Sequence, residues 1–285
     1  MKIAIVGLGG VGGYLAGSLT KNSKNKVVSF ARGEHLRAIQ KNGIEIVEDD
    51  KSYSVTLDAR ELSDANGYFD MVLFCVKSYD LQNSYKAIKN HIDANSILIS
   101  FSNGVTNGDK LREISDSIVL DGCMYILSHI EKAGVIRKKG KVFAGVFGGD
   151  TDATHKLASV FEEALLRYKI PLDIKTAIWK KYIFISAFAT LTSYYDKSIG
   201  YVYEYYKDEA EAVLKEIVDF ASTKGIDLSD EIQKSLDTAS KVPYDSSTSM
   251  HRDFQNKKQT ELDSLTKYID TPLMQKMYNQ LKKRD

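Results

Sequence analysis

Gly7, Gly9 and Gly12 stand at the spacing G-x-G-x-x-G in the run Gly7-Leu8-Gly9-Gly10-Val11-Gly12, directly behind the apolar stretch Lys2–Val6. Such a loop turns tightly at its first glycine and lets a pyrophosphate approach the backbone at its second. Its third glycine allows the next helix to pack close to the strand. The helix expected from Val11 onward would aim its N-terminal N–H groups at the phosphates. A second group of interest lies far along the chain, where Lys180 and Lys181 interrupt an otherwise apolar run over residues 178–188. On a helix Lys181 shares a face with Ile178 and Ile185. A lysine there faces a cleft, pairs, or snorkels to the wet end of the helix. In a cleft, partial burial favours proton release and makes the ammonium a usable general acid. Periodicity alone does not choose between Lys180 and Lys181. The third position is Glu261, which falls in one helical stripe with Met250, Phe254 and Leu265 if residues 247–268 form a single helix. A carboxylate in an apolar face needs a partner, and both a structural ion pair and a ligand would serve.

The elements that must hold these groups fall into two halves. In the first, short apolar runs at 2–6, 26–30, 71–76, 96–101 and 117–120 alternate with helical patterns such as 34–41, which ends at the C-cap pair Asn42-Gly43. Alternation of this kind predicts a doubly wound parallel sheet. Residues 135–148 read as two short strands around a glycine turn, a hairpin at the sheet edge. Beyond Pro171 the pattern becomes helical throughout, with helices expected over 178–194, 204–224, 229–240, 247–268 and 272–283. The fold class expected is therefore α/β: a Rossmann-type parallel sheet with helices on both faces over residues 1–172, followed by an all-α domain over residues 173–285.

Ligands of open α/β sheets lie beyond the carboxyl ends of the strands. Lys77 follows the strand at 71–76, and Asn103 follows the one at 96–101, so both are expected on the cofactor side. A surface lysine at a helix start and an ordinary Asn-Gly turn remain alternative readings of the two. Arg32 lies just past the second strand, 20 residues after Gly12, in Phe30-Ala31-Arg32-Gly33. NAD-binding sheets commonly end this strand in an acid that holds the ribose 2′-OH. With no acid at the strand end and a guanidinium available for a 2′-phosphate, NADP(H) is the expected cofactor. Glu34 is the competing acid, close behind.

Composition bounds the rest. The 285 residues are 43% hydrophobic and 27% charged, enough for two ordinary domains. A net charge of +1 provides no field that would favour nucleic acid or an anionic membrane. Cys75 and Cys123 match no disulfide framework or metal-ligand spacing, so no metal is expected. The N-terminal apolar run is too short for a signal peptide, and no run is long enough to span a bilayer, which points to the cytoplasm. The Tyr-rich stretches at 194–195 and 201–206 suit either a homodimer contact or core packing.

Several of these stretches together resemble the ketopantoate reductase (2-dehydropantoate 2-reductase) family. They are Ile5-Val6-Gly7-Leu8-Gly9-Gly10-Val11-Gly12, Ala31-Arg32-Gly33-Glu34-His35-Leu36, Val76-Lys77-Ser78, Ser102-Asn103-Gly104-Val105 and Ile178-Trp179-Lys180-Lys181. The most specific are Ser247-Thr248-Ser249-Met250 and, after Asp253, Gln259-Thr260-Glu261-Leu262-Asp263. The resemblance implies an NADPH-dependent reduction of ketopantoate to pantoate. In it Lys181 would be the general acid, Glu261 would bind the substrate hydroxyl and Ser249 the substrate carboxylate. Asn103 would line nicotinamide and substrate, and Lys77 would lie near the cofactor. Gly7, Leu8, Gly9, Gly10, Val11, Gly12 and Arg32 would bind the cofactor itself. Where the family usually carries asparagines four and eight residues after the lysine, this chain has Ile185 and Ala189. The family's asparagine three residues before Ser249 is Ser246, and an Asn-Gly and Gly-Ile-Pro stretch before the last helix is missing. A drier pocket follows, which suits a different, more apolar 2-keto acid. A non-catalytic NADP(H)-binding, redox-responsive paralogue is the third reading.

Overall fold

The computed structural model describes every residue from Met1 to Asp285. The chain divides into two compact units: residues 1–102 with 106–174, and residues 103–105 with 175–285.

The first unit is built on ten strands: β1 (Lys2–Val6), β2 (Lys26–Phe30), β3 (Ile44–Glu48), β4 (Lys51–Val55), β5 (Asp58–Arg60), β6 (Met71–Phe74), β7 (Ile97–Ser100), β8 (Ile118–Lys132), β9 (Val135–Gly148) and β10 (Tyr168–Lys169). Its helices are α1 (Gly10–Asn22), α2 (Gly33–Asn42), α3 (Leu81–Ile88), α4 (Asn107–Arg112) and α5 (Thr151–Glu163). The sheet order is β4-β3-β9-β8-β7-β6-β1-β2-β5, with β10 beside β9. β1 pairs in parallel with both β2 and β6, and parallel pairing continues through β7 to β8. β6 and β7 are buried at every residue, as continuous apolar runs covered on both faces must be. Strand alternation separates the two cores. Ile3, Ile5, Met71 and Leu73 pack with Leu15 and Leu19 of α1 and with Leu157 and Phe161 of α5. Ala4, Val6, Val72 and Phe74 pack instead with Leu81 and Tyr85 of α3 and Leu111 of α4. This is the expected Rossmann-type architecture.

The edge of the sheet differs from the sequence expectation. Residues 135–148 are one strand, β9, not a hairpin. The reversal lies earlier, at Ala133-Gly134, where Gly134 has φ 81°. β9 pairs antiparallel with β8 from end to end, interrupted where the register shifts between Ile126 and Ser128 and again between Ile130 and Lys132. Gly140, at φ 65°, sits opposite the first shift, so its left-handed backbone makes a bulge rather than a turn. The expected strand at 117–120 is only the start of the 15-residue β8. The hairpin β3–β4, turning at Asp49 (φ 49°), was not anticipated.

The second unit holds α6 (Ile174–Tyr195), α7 (Ile199–Tyr205), α8 (Lys207–Ser222), α9 (Glu231–Lys241), α10 (Ser249–Gln255) and α11 (Pro272–Leu281). A π-helical turn at Asp263–Lys267 precedes α11. Residues 186–193 of α6, in which short Ser and Thr side chains are interspersed with Ala, Phe and Leu, are all buried. No helix of the chain is long and apolar enough to cross a membrane. The helix expected over 204–224 is interrupted at Tyr206 (φ −132°), between α7 and α8. More consequentially, the single helix expected over 247–268 does not exist. α10 stops at Gln255, and Lys257 takes a left-handed φ of 51°. Lys258 N–H reaches Asp253 C=O and Lys257 N–H reaches Phe254 C=O, at 2.9 and 3.0 Å, the double closure of a Schellman end. Glu261 is therefore not on one helical stripe with Met250 and Phe254.

Candidate functional site

The glycine loop follows β1 as expected, and most of its glycines are explained by the fold. Gly7 has φ +95°, and a Cβ there would lie 2.8 Å from Val76 Cγ1. A Cβ on Gly12 would strike the carbonyl oxygen of Gly7, and one on Gly10 the backbone of Ser128 in β8. Gly9 is different. Its φ of −69° suits any residue, and a Cβ there meets nothing within 4 Å. Packing does not require a glycine at this position, whereas close approach of a phosphate does. Gly9 is also the N-cap of α1 and supplies no side chain to the first-turn N–H groups. Those donors suit an anion at the helix start. The loop thus fits a dinucleotide. Leu8 buries its side chain in the core and turns its carbonyl to His35, while Val11 is half-buried.

His35 on α2 is a group that sequence reasoning did not single out. Its Nε2 lies 2.9 Å from Leu8 O, and Gly134 N–H donates to its Nδ1 at 3.0 Å. The second bond makes Nδ1 an acceptor, so Nε2 carries the proton and donates to the loop carbonyl. Burial holds the imidazole below its usual pKa, opposed by the bond to Leu8. The only sequence signal was its place in Arg-Gly-Glu-His-Leu; its partners are 27 and 99 residues away.

Arg32 lies at the N-cap of α2 in extended conformation. Its side chain is 85% exposed and pairs with Asp80 at 3.2 Å. Glu34 is exposed in the first turn of α2. Lys77, half-buried, follows β6 and leads into a 3₁₀ turn at Ser78–Asp80. The ends of β6 and β7 are joined by Ser102 Oγ, which donates to Val76 O at 2.6 Å.

Asn103 groups with the helical unit. Gly104 turns the chain there at φ 119°, and Val105 packs on the helical core. The two adjacent lysines of α6 separate by partner. Lys181, half-buried, donates from Nζ to Asn103 Oδ1 at 3.0 Å. Lys180, exposed, lies 3.9 Å from Glu231. Two hydroxyls tie α6 to the segment after Glu261: Tyr182 donates to Ser264 O at 2.8 Å, and Ser186 to Leu265 O at 2.5 Å. They engage carbonyls in the region where the π turn departs from regular helical bonding. Burial pushes the Tyr182 phenol up, which keeps it a donor. Glu261 itself is 2% exposed, and its backbone carbonyl accepts from Leu265 N–H and from Ser264 Oγ. Ser249 is the first residue of α10, behind the capping hydroxyl of Thr248. Four and eight residues beyond Lys181 stand Ile185, half-buried, and Ala189, buried. The structure thus brings Lys181 onto Asn103 and braces α6 against the segment after Glu261. Chemically, the pair is an ammonium held by a neutral amide oxygen on an apolar helix, suited to bind and protonate a developing oxyanion.

Comparison with known proteins gives the family of the chain. A sequence model described as ketopantoate reductase PanE/ApbA matches residues 3–148, and one for the C-terminal part of the same family matches residues 173–284. The uncharacterized oxidoreductase YkpB of Bacillus subtilis is 28% identical over 277 residues, 94% of this chain and 91% of its own. A 2-dehydropantoate 2-reductase of Halobacterium salinarum is 24% identical over 276 residues, covering 93% and 89% of the two chains. Among solved structures, a PanE/ApbA family ketopantoate reductase from Ralstonia eutropha superposes with a TM-score of 0.92. It is 25% identical, with 100% of this chain and 98% of that one covered.

Proposed function

The chain belongs to the ketopantoate reductase family of oxidoreductases, and from that premise we propose that it reduces a small 2-keto acid with NADPH, with Lys181 as general acid. The observation that carries this reading is the Lys181–Asn103 hydrogen bond of 3.0 Å, which fixes the direction of a half-buried ammonium. Residues 1–172 bind the cofactor, and residues 173–285, together with Asn103, supply the catalytic and substrate groups. Gly7, Leu8, Gly9, Gly10, Val11 and Gly12 would hold the pyrophosphate, Arg32 would bind the 2′-phosphate, and Lys77 would lie near the cofactor. Bound NADPH supplies the hydride.

The remaining steps belong to the protein. Lys181 hydrogen-bonds the keto oxygen, stabilises the negative charge that grows there, and delivers the proton that completes the alcohol. Asn103 keeps the ammonium aimed and lines the substrate. Ser249 binds the substrate carboxylate. Glu261, buried and braced through Ser264 and Leu265, receives the substrate hydroxyl.

Ketopantoate, reduced to pantoate, is the first substrate this reading names. A second reading, reduction of a more apolar 2-keto acid, is favoured by Ile185 and Ala189 on the face of α6 that carries Lys181. A chain that binds NADP(H) without turnover is the third. Following NADPH oxidation with ketopantoate and a panel of branched and aromatic 2-keto acids separates them. Turnover of ketopantoate supports the first, turnover only of an apolar keto acid the second, and tight NADPH binding without turnover the third.

A further inference from the structure

The end of α6 and the loop before α10 are joined by a chain of three polar side chains. His251 Nε2 lies 2.7 Å from Asp196 Oδ1, and His251 Nδ1 lies 2.9 Å from Ser247 Oγ. Only 3% of His251 is exposed, whereas the Asp196 side chain is 57% exposed. Asp196 has a left-handed backbone, φ 52°, immediately after α6. Its carboxyl is held below the ordinary range first by the His251 hydrogen bond, with Gln255 and Arg284 contributing. The carboxylate can only accept, so Nε2 carries a proton; in the neutral ring Nδ1 is then the acceptor for the Ser247 hydroxyl. The imidazole thus acts as a rigid connector with a fixed tautomer.

The surrounding loop is tied at its other polar atoms as well. Ile199 N–H donates to Ser246 O at 2.7 Å, and Arg252 Nη1 to Ser247 O at 2.8 Å. Thr248 Oγ1 accepts from His251 N–H at 3.2 Å and lies 2.9 Å from Thr192 Oγ1 of α6. The next residue is Ser249. We propose that Asp196, His251 and Ser247 form a positioning relay that fixes residues 246–248 and so presents Ser249 to the substrate carboxylate. This rests on the proposed role of Ser249. A buried histidine bonded through both ring nitrogens fixes the loop's orientation, which an apolar side chain of the same size would not.

The test uses the full chain with NADPH and the keto acid it turns over. Ser247→Ala and Asp196→Ala are expected to raise KM for the keto acid about tenfold, the loss of one such bond. The kcat and the affinity for NADPH stay unchanged. Ser247→Thr and Asp196→Asn, which keep a hydroxyl and an acceptor, restore the wild-type KM. Nitrogen-15 spectra of the imidazole are expected to show the Nε2–H tautomer, lost in Asp196→Ala. Amide exchange over 246–249 is expected to speed up in the same variant. Unchanged KM in both alanine variants, while Ser249→Ala raises it, overturns the proposal. Should Ser249→Ala itself leave KM unchanged, the substrate assignment fails instead. The relay then stands or falls on exchange, and unaltered exchange over 246–249 in Asp196→Ala overturns it.

Discussion

Lys181 Nζ donates to Asn103 Oδ1 at 3.0 Å, across 78 residues of sequence. An amide oxygen can orient an ammonium without neutralising its charge, and it is that charge an oxyanion would meet. Replacing Asn103 by alanine is expected to lower kcat about tenfold to a hundredfold, in line with ~1.5–3 kcal/mol for a hydrogen bond to a charged group. NADPH affinity is expected to change less than kcat. Steady-state kinetics alongside a fluorescence titration of NADPH check this, and an unchanged kcat would count against the pair as a working unit.

The glycine loop separates packing from binding. Gly12→Ala forces a Cβ against the Gly7 carbonyl and is expected to destabilise the fold by a few kcal/mol, within the ~1–3 kcal/mol common for overpacking. Gly9→Ala adds a methyl where nothing lies within 4 Å, so the melting temperature is expected to hold while NADPH affinity falls at least tenfold. Thermal melts and cofactor titrations of the two variants check it. Equal NADPH affinity in Gly9→Ala and wild type would remove the pyrophosphate from this position.

Arg32 is exposed and held only by Asp80 at 3.2 Å. Exchanging that partner for a 2′-phosphate costs little, because exposed ion pairs contribute ~0–1 kcal/mol. Arg32→Ala is expected to weaken NADPH binding about tenfold to a hundredfold, in line with ~1.5–3 kcal/mol for a hydrogen bond to a charged group. NADH binding is expected to stay unchanged. Equal losses for both nucleotides would contradict the assignment.

His35 is expected to make cofactor binding sensitive to acid. Its pKa is lowered in the folded protein, chiefly by burial. The neutral ring is thus the form that the fold prefers, and its stability is fully present above the unfolded value of about 6.5. That contribution is lost as the pH falls from there through the lowered folded pKa. A proton on Nδ1 would also face the Gly134 N–H, and the loop carbonyl of Leu8 would lose its fixed donor geometry. NADPH affinity measured from pH 8 downward is expected to hold through about pH 6.5 and to fall only at the lower pH where the buried imidazole of the folded protein takes up its proton. His35→Asn, which keeps a donor and an acceptor without a titrating proton, is expected to flatten that slope. An identical slope in the variant would exclude His35 as its origin.

The parts of the molecule that were legible in its sequence rest on local rules. The loop at Gly7 and the buried strands β1, β2, β6 and β7 declare themselves by glycine spacing and by continuous apolar runs. The break inside 247–268 did not, because the Schellman end uses Lys257 where a glycine would have signalled it. Glu261 consequently left the stripe on which periodicity had put it. β9 misled for the opposite reason: Gly140 looked like a turn, but pairing with β8 made it a bulge. The choice between Lys180 and Lys181 was not available locally at all. What distinguishes the two is their partners, Asn103 and Glu231, 78 and 51 positions from the lysines they meet.

That choice is the centre of the account, and one comparison tests it most directly: the rate of NADPH oxidation at saturating keto acid in wild type, Lys181→Ala and Lys180→Ala. Loss of a general acid is expected to lower kcat by about a hundredfold to ten-thousandfold in Lys181→Ala. Lys180→Ala, which loses only an exposed lysine 3.9 Å from Glu231, is expected to stay within about twofold of wild type. Turnover retained in Lys181→Ala, or lost equally in Lys180→Ala, would contradict it.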